Sequence, residues 1–497
     1  ILNDYCNEDL SLTEIAENNK ITRQAVNDIV KKGESKLLEY EQKLGIMKKT
    51  IAILLSVSCL FGLNSCFKTE EDIFDQSPAQ RLNKLTSDYR EVLSGSENGW
   101  VLQYFASETE QGYPFVMKFD KSGKVTIAGN NSVSTGGVYK EESSTYDFVQ
   151  DMSVVLTFDT YNEIFHEFSS PQTDGVGHGG DYEFQMKGMS ADKDTIYVMG
   201  KKSGIDMRLV RFPMGAQYTD AAGATETVDS WADYFKAIEA NTARLFNNKI
   251  SGYTLSSGDE TFDVDGLGVG VMALTPVGLS EIEAASRTYY LGIIVNLDNT
   301  VRLSSPFEGE KGKFSVQDLA IDATNTKMTS PDGTVTLNAP TVEQLFKMAG
   351  ASWMIDPETM TAKTKTLYDA AVEGAATKKR TVEFGYQYDS KTGKICMVVK
   401  LLQAGTTKAS VALFYLDATV ASDGTLTYTA DGSGDRNAQS YSKNVPGLLD
   451  FVKGMAGSYG VTAETPFSPA QMKFVNKADG NDTFTAKLNL SLIHISE

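Results

Sequence analysis

Hydrophobic spacing changes twice along this 497-residue chain, and the changes divide it. In the first stretch Leu10, Leu12, Ile15 and Ala16 are followed by Ala25, Val26, Ile29 and Val30, at helical spacing. This predicts two short amphipathic helices joined by a turn at Asn18-Asn19-Lys20-Ile21, with Thr22 capping the second. Thr50 to Leu63 is then an uncharged apolar run, shorter than the roughly 20 residues a bilayer span needs. Farther on, Ser77 is set to cap a helix that has Pro78 in its first turn, Leu82, Leu85, Tyr89 and Leu93 on one face, and Gly95 at its end.

From Trp100 the period becomes two. Trp100, Leu102 and Tyr104 alternate with Val101, Gln103 and Phe105, and Phe115–Phe119 folds back as Lys124–Ile127. Further strands are predicted at 153–158, 182–186, 195–199 and 207–212. Ser230 begins a helix carrying Trp231, Tyr234, Phe235, Ile238 and Leu245. After it come strands at 291–297 and 301–303, a strand at 334–337, and hairpins of 384–388 with 394–400 and of 411–416 with 425–429. Thr341-Val342-Glu343-Gln344 forms a capping box. The likeness of Phe346-Lys347-Met348-Ala349-Gly350 to Val452-Lys453-Gly454-Met455-Ala456-Gly457, and a helix-then-meander order in both halves, suggest an internal duplication.

The fold class expected is mainly β (α+β): an antiparallel, lipocalin-like meander with packed helices, a second β-rich domain, and a short all-α segment at the N-terminus. The boundaries read as 1–46 for the helical segment, 47–65 for an export signal, 66–76 for an acidic linker, 77–225 and 226–489 for the β-rich domains, and 490–497 for a terminal artefact.

Charge and cysteine count narrow the chemistry. A net charge of -19 argues against binding along a nucleic-acid backbone, because that mode needs Lys and Arg to replace counterions. Met47-Lys48-Lys49, the apolar run, and Leu63-Asn64-Ser65 before Cys66 have the layout of a lipoprotein signal, with Cys66 as the lipidated residue and Leu63, Asn64 and Ser65 as the recognition sequence. Cleavage there leaves Cys66 and Cys396, so no disulfide framework is expected. Neither a metal site, a cofactor nor a catalytic residue is predicted. His166 reads as a satisfied histidine at a strand edge. His178, within Asp174-Gly175-Val176-Gly177-His178-Gly179-Gly180-Asp181, is the candidate ligand-loop residue. Asp263-Val264-Asp265-Gly266 offers too few oxygens for calcium and reads as a turn.

Two resemblances extend this reading. Residues 11–46, SLTEIAENNKITRQAVNDIVKKGESKLLEYEQKLGI, resemble YlxM-type helix-turn-helix proteins, related to sigma-factor region 4 and associated with the signal recognition particle operon. That resemblance implies a cytoplasmic regulator, with Arg23, Gln24 and Asn27 facing DNA. From Met47 onward, IFDQSPAQRL and Asn98-Gly99-Trp100 resemble a family of Bacteroidota surface lipoproteins of unknown function. This one implies an outer-membrane lipoprotein near nutrient or carbohydrate uptake systems of the SusC/SusD kind, with Glu70, Glu71 and Asp72 as its surface-export signal. The two pieces belong to different compartments, so their join is read as an error of gene prediction or assembly, and Ser491–Glu497 as adapter read-through.

Three functions stay open. They are a non-enzymatic, lipid-anchored binder of a nutrient, glycan or partner protein; a surface hydrolase using two carboxylates; and a helix-turn-helix regulator.

Overall fold

The computed structural model divides into two units, Ile1–Ser77 and Pro78–Glu497. It describes residues 22, 24–26 and 31–32 of the first, and residues 78–490 of the second apart from 152, 171–176, 221–222, 247–249, 309–312, 315–316, 323–325, 404 and 406–407. The export signal with Leu63, Asn64, Ser65 and Cys66, the acidic Glu70, Glu71 and Asp72, and Arg23 and Asn27 lie outside the described residues. In the first unit Thr22 caps as expected, its Oγ1 accepting from the Ala25 N–H at 3.2 Å. Val26 is buried there and Gln24 exposed.

The second unit opens with the helix Pro78–Ser94 and a nine-stranded antiparallel sheet. Its strands are β1 (Trp100–Tyr104), β2 (Tyr113–Phe119), β3 (Lys124–Gly129), β4 (Lys140–Thr145), β5 (Asp147–Asp151), β6 (Ser153–Thr157), β7 (Glu183–Met189), β8 (Thr195–Gly200) and β9 (Asp206–Arg211). They lie in the order 4-3-2-1-9-8-7-6-5. The ribbon β10 (Gln217–Thr219) and β11 (Thr225–Thr227) leads to the helix Trp231–Leu245, which Ser230 caps as its sequence predicts, accepting from the Asp233 N–H at 3.2 Å.

A closed barrel follows, made of β12 (Tyr253–Ser257), β13 (Glu260–Asp265), β14 (Val271–Pro276), β15 (Tyr289–Val295) and β16 (Thr300–Leu303), then β19 (Asp318–Ile321), β20 (Lys327–Thr329) and β21 (Val335–Asn338). Between β16 and β19 sits the short ribbon β17 (Phe307–Glu308) and β18 (Lys313–Phe314).

The helix Val342–Lys347, with both hydrogen bonds of its Thr341–Gln344 capping box, enters a second nine-stranded sheet. Its strands are β22 (Ser352–Asp356), β23 (Arg380–Asp389), β24 (Lys394–Gln403), β25 (Ala409–Tyr415), β26 (Asp417–Val420), β27 (Thr425–Thr429), β28 (Gly457–Ala463), β29 (Gln471–Asn476) and β30 (Thr483–Asn489). Their order is 25-24-23-22-30-29-28-27-26, the same path as the first sheet.

The two sheets therefore repeat one topology, and both curl for the same reason. The outermost strands of the first, β4 and β5, are separated only by Tyr146, and those of the second, β25 and β26, only by Leu416. Nine flat strands about 4.8 Å apart would hold the edges roughly 38 Å from each other. One residue cannot cross that distance, so each sheet wraps until its edges meet at the corner. Both corner residues are buried, and each still donates its N–H to the strand it is leaving, Tyr146 to Gly123 O beside β3 at 2.8 Å and Leu416 to Ile395 O of β24 at 3.1 Å.

Each sheet is also tied to its entry helix by a tryptophan. A buried indole N–H needs a partner, and the last carbonyls of a helix lack one. Trp100 Nε1 donates to Leu93 O at 3.0 Å, and Trp353 Nε1 to Leu345 O at 3.0 Å. The interiors are aromatic: Tyr104, Phe165 and Phe168 each pack edge to face with Phe115 in the first, while Tyr386, Tyr428, Tyr459 and Phe474 fill the second.

The mainly β class with helices against antiparallel sheets is as expected, and several details differ. All five residues of β1 are buried, because the outer side of the sheet at Val101 of β1, Val116 of β2 and Ala128 of β3 is covered by Tyr234, Phe235 and Ala237 of the 231–245 helix. Leu85, placed on the apolar face of the first helix, is 39 % exposed. Residues 411–416 do not pair with 425–429: β25 pairs with β24, and β26, missed in the sequence, takes the partner role. The segments 346–350 and 452–457 are not equivalent positions, since one precedes the first strand of its sheet and the other the seventh. Their likeness is that of two helix ends.

Candidate functional site

The connection between β1 and β2 leaves its own sheet and runs along the barrel wall. Gly292 N–H donates to Glu108 O at 2.7 Å, Ser304 Oγ to the same oxygen at 2.6 Å, and Gly112 N–H to Ile293 O at 3.2 Å. Glycine makes the approach feasible: a Cβ on Gly292 would stand 1.8 Å from Glu110 O, and one on Gly270, at φ +78°, 2.6 Å from Gln111 Cβ.

Behind this connection lies a cavity of about 740 Å³, within the range of small-molecule sites. The first sheet contributes Tyr113, Asn130 and Asn131, the 231–245 helix Phe235, Ile238, Glu239 and Thr242, and the barrel Leu267–Gly270 and Ile293–Val295. Glu239, exposed at the rim, is the one acidic or basic side chain among the described lining residues. Burial raises the Tyr113 hydroxyl above its ordinary pKa, so it stays a donor. Asn131 holds the loop after β3: its Oδ1 accepts from Ser134 N–H at 2.8 Å, and its N–H and carbonyl both bond Thr135 Oγ1 at 2.8 Å. Its Nδ2 is buried without a partner, a cost normally met by a ligand, a water or a shift.

Beside the cavity a polar seam joins the first sheet to the barrel. Arg208 Nε donates to Gln103 Oε1 at 2.6 Å, and Gln103 Nε2 to Asn296 Oδ1 at 2.7 Å. Arg208 also grips Asp318 with both Nη atoms, at 2.9 and 3.3 Å, and Arg302 Nη1 reaches the same carboxylate at 3.1 Å. Burial, and then the neighbouring Arg208, hold the Arg302 guanidinium below its usual range.

The sequence-predicted residues lie apart from the cavity wall. His178 faces Glu110, its Nδ1 3.0 Å from Oε2, with its ring against Phe168. The Gly180 N–H of that loop is already bonded to Phe168 O at 2.9 Å. His166 is not at a strand edge. It ends the four-residue helix Glu163–His166, where Nδ1 accepts from the Asn162 N–H at 3.1 Å and Nε2 stands 3.0 Å from Phe158 O, which assigns the Nε2–H tautomer. Asp263 and Asp265 lie on β13, and Gly266, at φ +78°, turns the chain after them. Among the described residues no group of three or more His, Cys, Asp or Glu is placed to hold a metal ion. Cys396 is buried and free, with its thiol pushed up to about 12 by burial. The cavity was missed in the sequence, though the spaced glycines 266, 268 and 270 mark the barrel segment that lines it.

Comparison with known proteins gives two separate matches. Residues 1–54 match the profile of putative helix-turn-helix proteins, YlxM / p13 like. There the chain is 49% identical over 47 residues to a UPF0122 protein of Clostridium botulinum and 56% identical over 45 residues to one of Desulforamulus reducens. These stretches are 10% and 9% of this chain and 43% and 38% of the relatives, so the chain spans about two-fifths of the length of the curated relatives it matches. Among solved structures, transferrin binding protein B from serogroup B Neisseria meningitidis aligns at 10% identity over 79% of this chain and 76% of that one, with a TM-score of 0.12. A transferrin binding protein B double mutant from Haemophilus parasuis aligns at 8% identity over 78% and 74%, also with a TM-score of 0.12. Likeness at that level carries no inference. The other profile match runs from residue 70 to residue 322, slightly more than half of the chain, and by it the chain belongs to the domain of unknown function family DUF4302.

Proposed function

We propose that the chain from Met47 onward is a lipid-anchored, non-enzymatic binding protein of the outer membrane, facing the cell surface. It is held by acyl chains on Cys66 and takes a small nutrient or glycan fragment into the cavity between the first sheet, the 231–245 helix and the barrel, beside an uptake system. The observation that carries the reading is that cavity, walled by Tyr113, Phe235, Ile238 and Ile293–Val295 with Asn130 and Thr242 as polar groups. The layout of Met47 to Cys66 supports the anchor, since several acyl chains hold where one is marginal. Two measurements test it. Intact mass of the membrane-fraction protein should show a chain beginning at lipid-modified Cys66. Thermal unfolding of the full chain against neutral oligosaccharides, short peptides and nucleosides should find a compound that raises the Tm, an effect that Thr242→Trp, which fills the cavity, removes. A panel without any shift sinks the binding role, and an unmodified soluble chain sinks the anchor.

For residues 1–46 the helix-turn-helix match and the Thr22 cap support a second reading, in which Arg23, Gln24 and Asn27 contact DNA. Gel-shift titration of the full chain with and without Arg23→Ala decides it: equal retardation, or none, counts against the contact.

A further inference from the structure

Beside the polar seam, under Tyr234 of the 231–245 helix, lies a second, smaller hollow of about 170 Å³ that opens to solvent. At about 30 Å³ per water in the liquid, it holds about six waters or one solute of similar bulk. Its walls are Val101, Gln103, Arg208 and Val210 on the outer side of the sheet, Tyr234 of the helix, and Asn296–Asp298 at the tip of the β15–β16 hairpin.

A count of hydrogen bonds shows what this hollow lacks. Gln103 and Asn296 have committed both ends of their amides, Gln103 to Arg208 and Asn296, and Asn296 to Gln103 and Thr300. Arg208 uses three of its five N–H groups on Gln103 and Asp318, which leaves two. Tyr234 is 3 % exposed and lines the hollow, yet its hydroxyl bonds no described residue. Arg211 lies at the edge, paired through Nε with Asp194 and stacked 4.8 Å over the Trp100 ring. At the mouth Asp298 gives one carboxylate oxygen to Thr300, with bonds of 3.0 and 2.6 Å, and keeps the other. The unclaimed groups around the hollow are thus the Tyr234 hydroxyl, two Arg208 N–H groups and, on the exposed hairpin tip, one Asp298 carboxylate oxygen.

We infer that this hollow is a binding site for a small zwitterion, an amino acid of minimal side chain, whose carboxylate meets Arg208 and Tyr234 and whose ammonium meets Asp298. An anion alone faces the Asp298 carboxylate with nothing to answer it; a cation alone leaves the Tyr234 hydroxyl and the two remaining Arg208 N–H groups to water. The volume, below that of drug-sized ligand pockets, suits a compact ligand.

The test is isothermal titration of the full chain with glycine, β-alanine, acetate and methylammonium, alongside Tyr234→Phe and Asp298→Asn. Either zwitterion should bind at least about tenfold more tightly than acetate or methylammonium, roughly the 1.4 kcal/mol of one further polar contact. Tyr234→Phe should weaken zwitterion binding at least fivefold, with a circular-dichroism spectrum like the parent's. Asp298→Asn, at an exposed turn where Asn can make the same Thr300 bonds, should erase the preference for zwitterion over acetate. Heat-silent titration with both zwitterions at tens of millimolar, equal affinity for acetate and glycine, or an unchanged preference in Asp298→Asn overturns the proposal. None of these outcomes bears on the larger cavity, which Thr242→Trp probes separately.

Discussion

The sheet at 100–211 and the sheet at 352–489 follow the same path through nine strands, but they close the step from first strand to second differently. In the first that step is the bare connection Phe105–Gly112, which reaches out to the barrel at Gly292. In the second it is the helix Ala362–Ala376, which folds back on its own sheet, with Tyr368 against Phe384 and Phe451 and with Ala371 and Ala375 buried. The topology has been kept while one connection has been put to two uses. Where it reaches outward, the first sheet and the barrel share a wall and a cavity forms; where it folds back, the sheet seals its own end.

That contrast can be tested from the strongest effect downward. Trp100→Ala and Trp353→Ala each remove a fully buried indole and its helix bond, so each should cost about 3–5 kcal/mol in denaturant unfolding. If the sheets are equivalent modules the losses agree, and a difference of several kcal/mol would mean that one sheet borrows stability from its neighbour. Asp318→Ala strands two guanidinium groups at the seam, at a cost of about 3 kcal/mol. Hydrogen exchange should then quicken in β9 and β16 and leave β22–β30 unchanged. Protection lost equally in both sheets would contradict a local seam.

Gly292→Ala and Gly374→Ala test the two connections directly, since their Cβ atoms would meet Glu110 O at 1.8 Å and Pro446 O at 1.9 Å. Each should cost about 1–3 kcal/mol by overpacking, but only Gly292→Ala should reduce ligand-induced shifts at the cavity. The smallest effect is at the caps. Thr341→Ala at the entrance of the second sheet and Ser230→Ala on the helix covering the first should each lose about 1 kcal/mol, read as a lower denaturant midpoint with unchanged slope.

Local signals in the sequence carried most of the elements. Ser230 and Thr341 cap where their side chains imply, and Asp389–Gly393 turns β23 into β24 as read. What escaped was set by partners distant in sequence. The β25–β26 break at Leu416 has no turn residue, because the chain stays extended and merely changes partner. The full burial of β1 depends on a helix more than a hundred residues later. The cavity follows the same rule, with walls from three parts of the chain, while His178, singled out for its glycines, has its ring held by Glu110 and Phe168. The repeat was legible only as an order of elements, since equal topology is kept here by different side chains, Tyr146 at one corner and Leu416 at the other.

In each sheet the first strand is completed by the last. Gln103 finds Arg208 105 residues later, and Ser352 finds Asn489 137 residues later. At roughly 5–20 residues per second of synthesis, the opening strand of the second sheet waits about ten seconds for its neighbour. Throughout that interval it shows an unpaired edge of the kind that recruits other chains. Maturation of this protein is therefore a matter of timing: each half stays open to misassembly until its final strand is delivered, and whatever shields the nascent chain must persist to the end of each half.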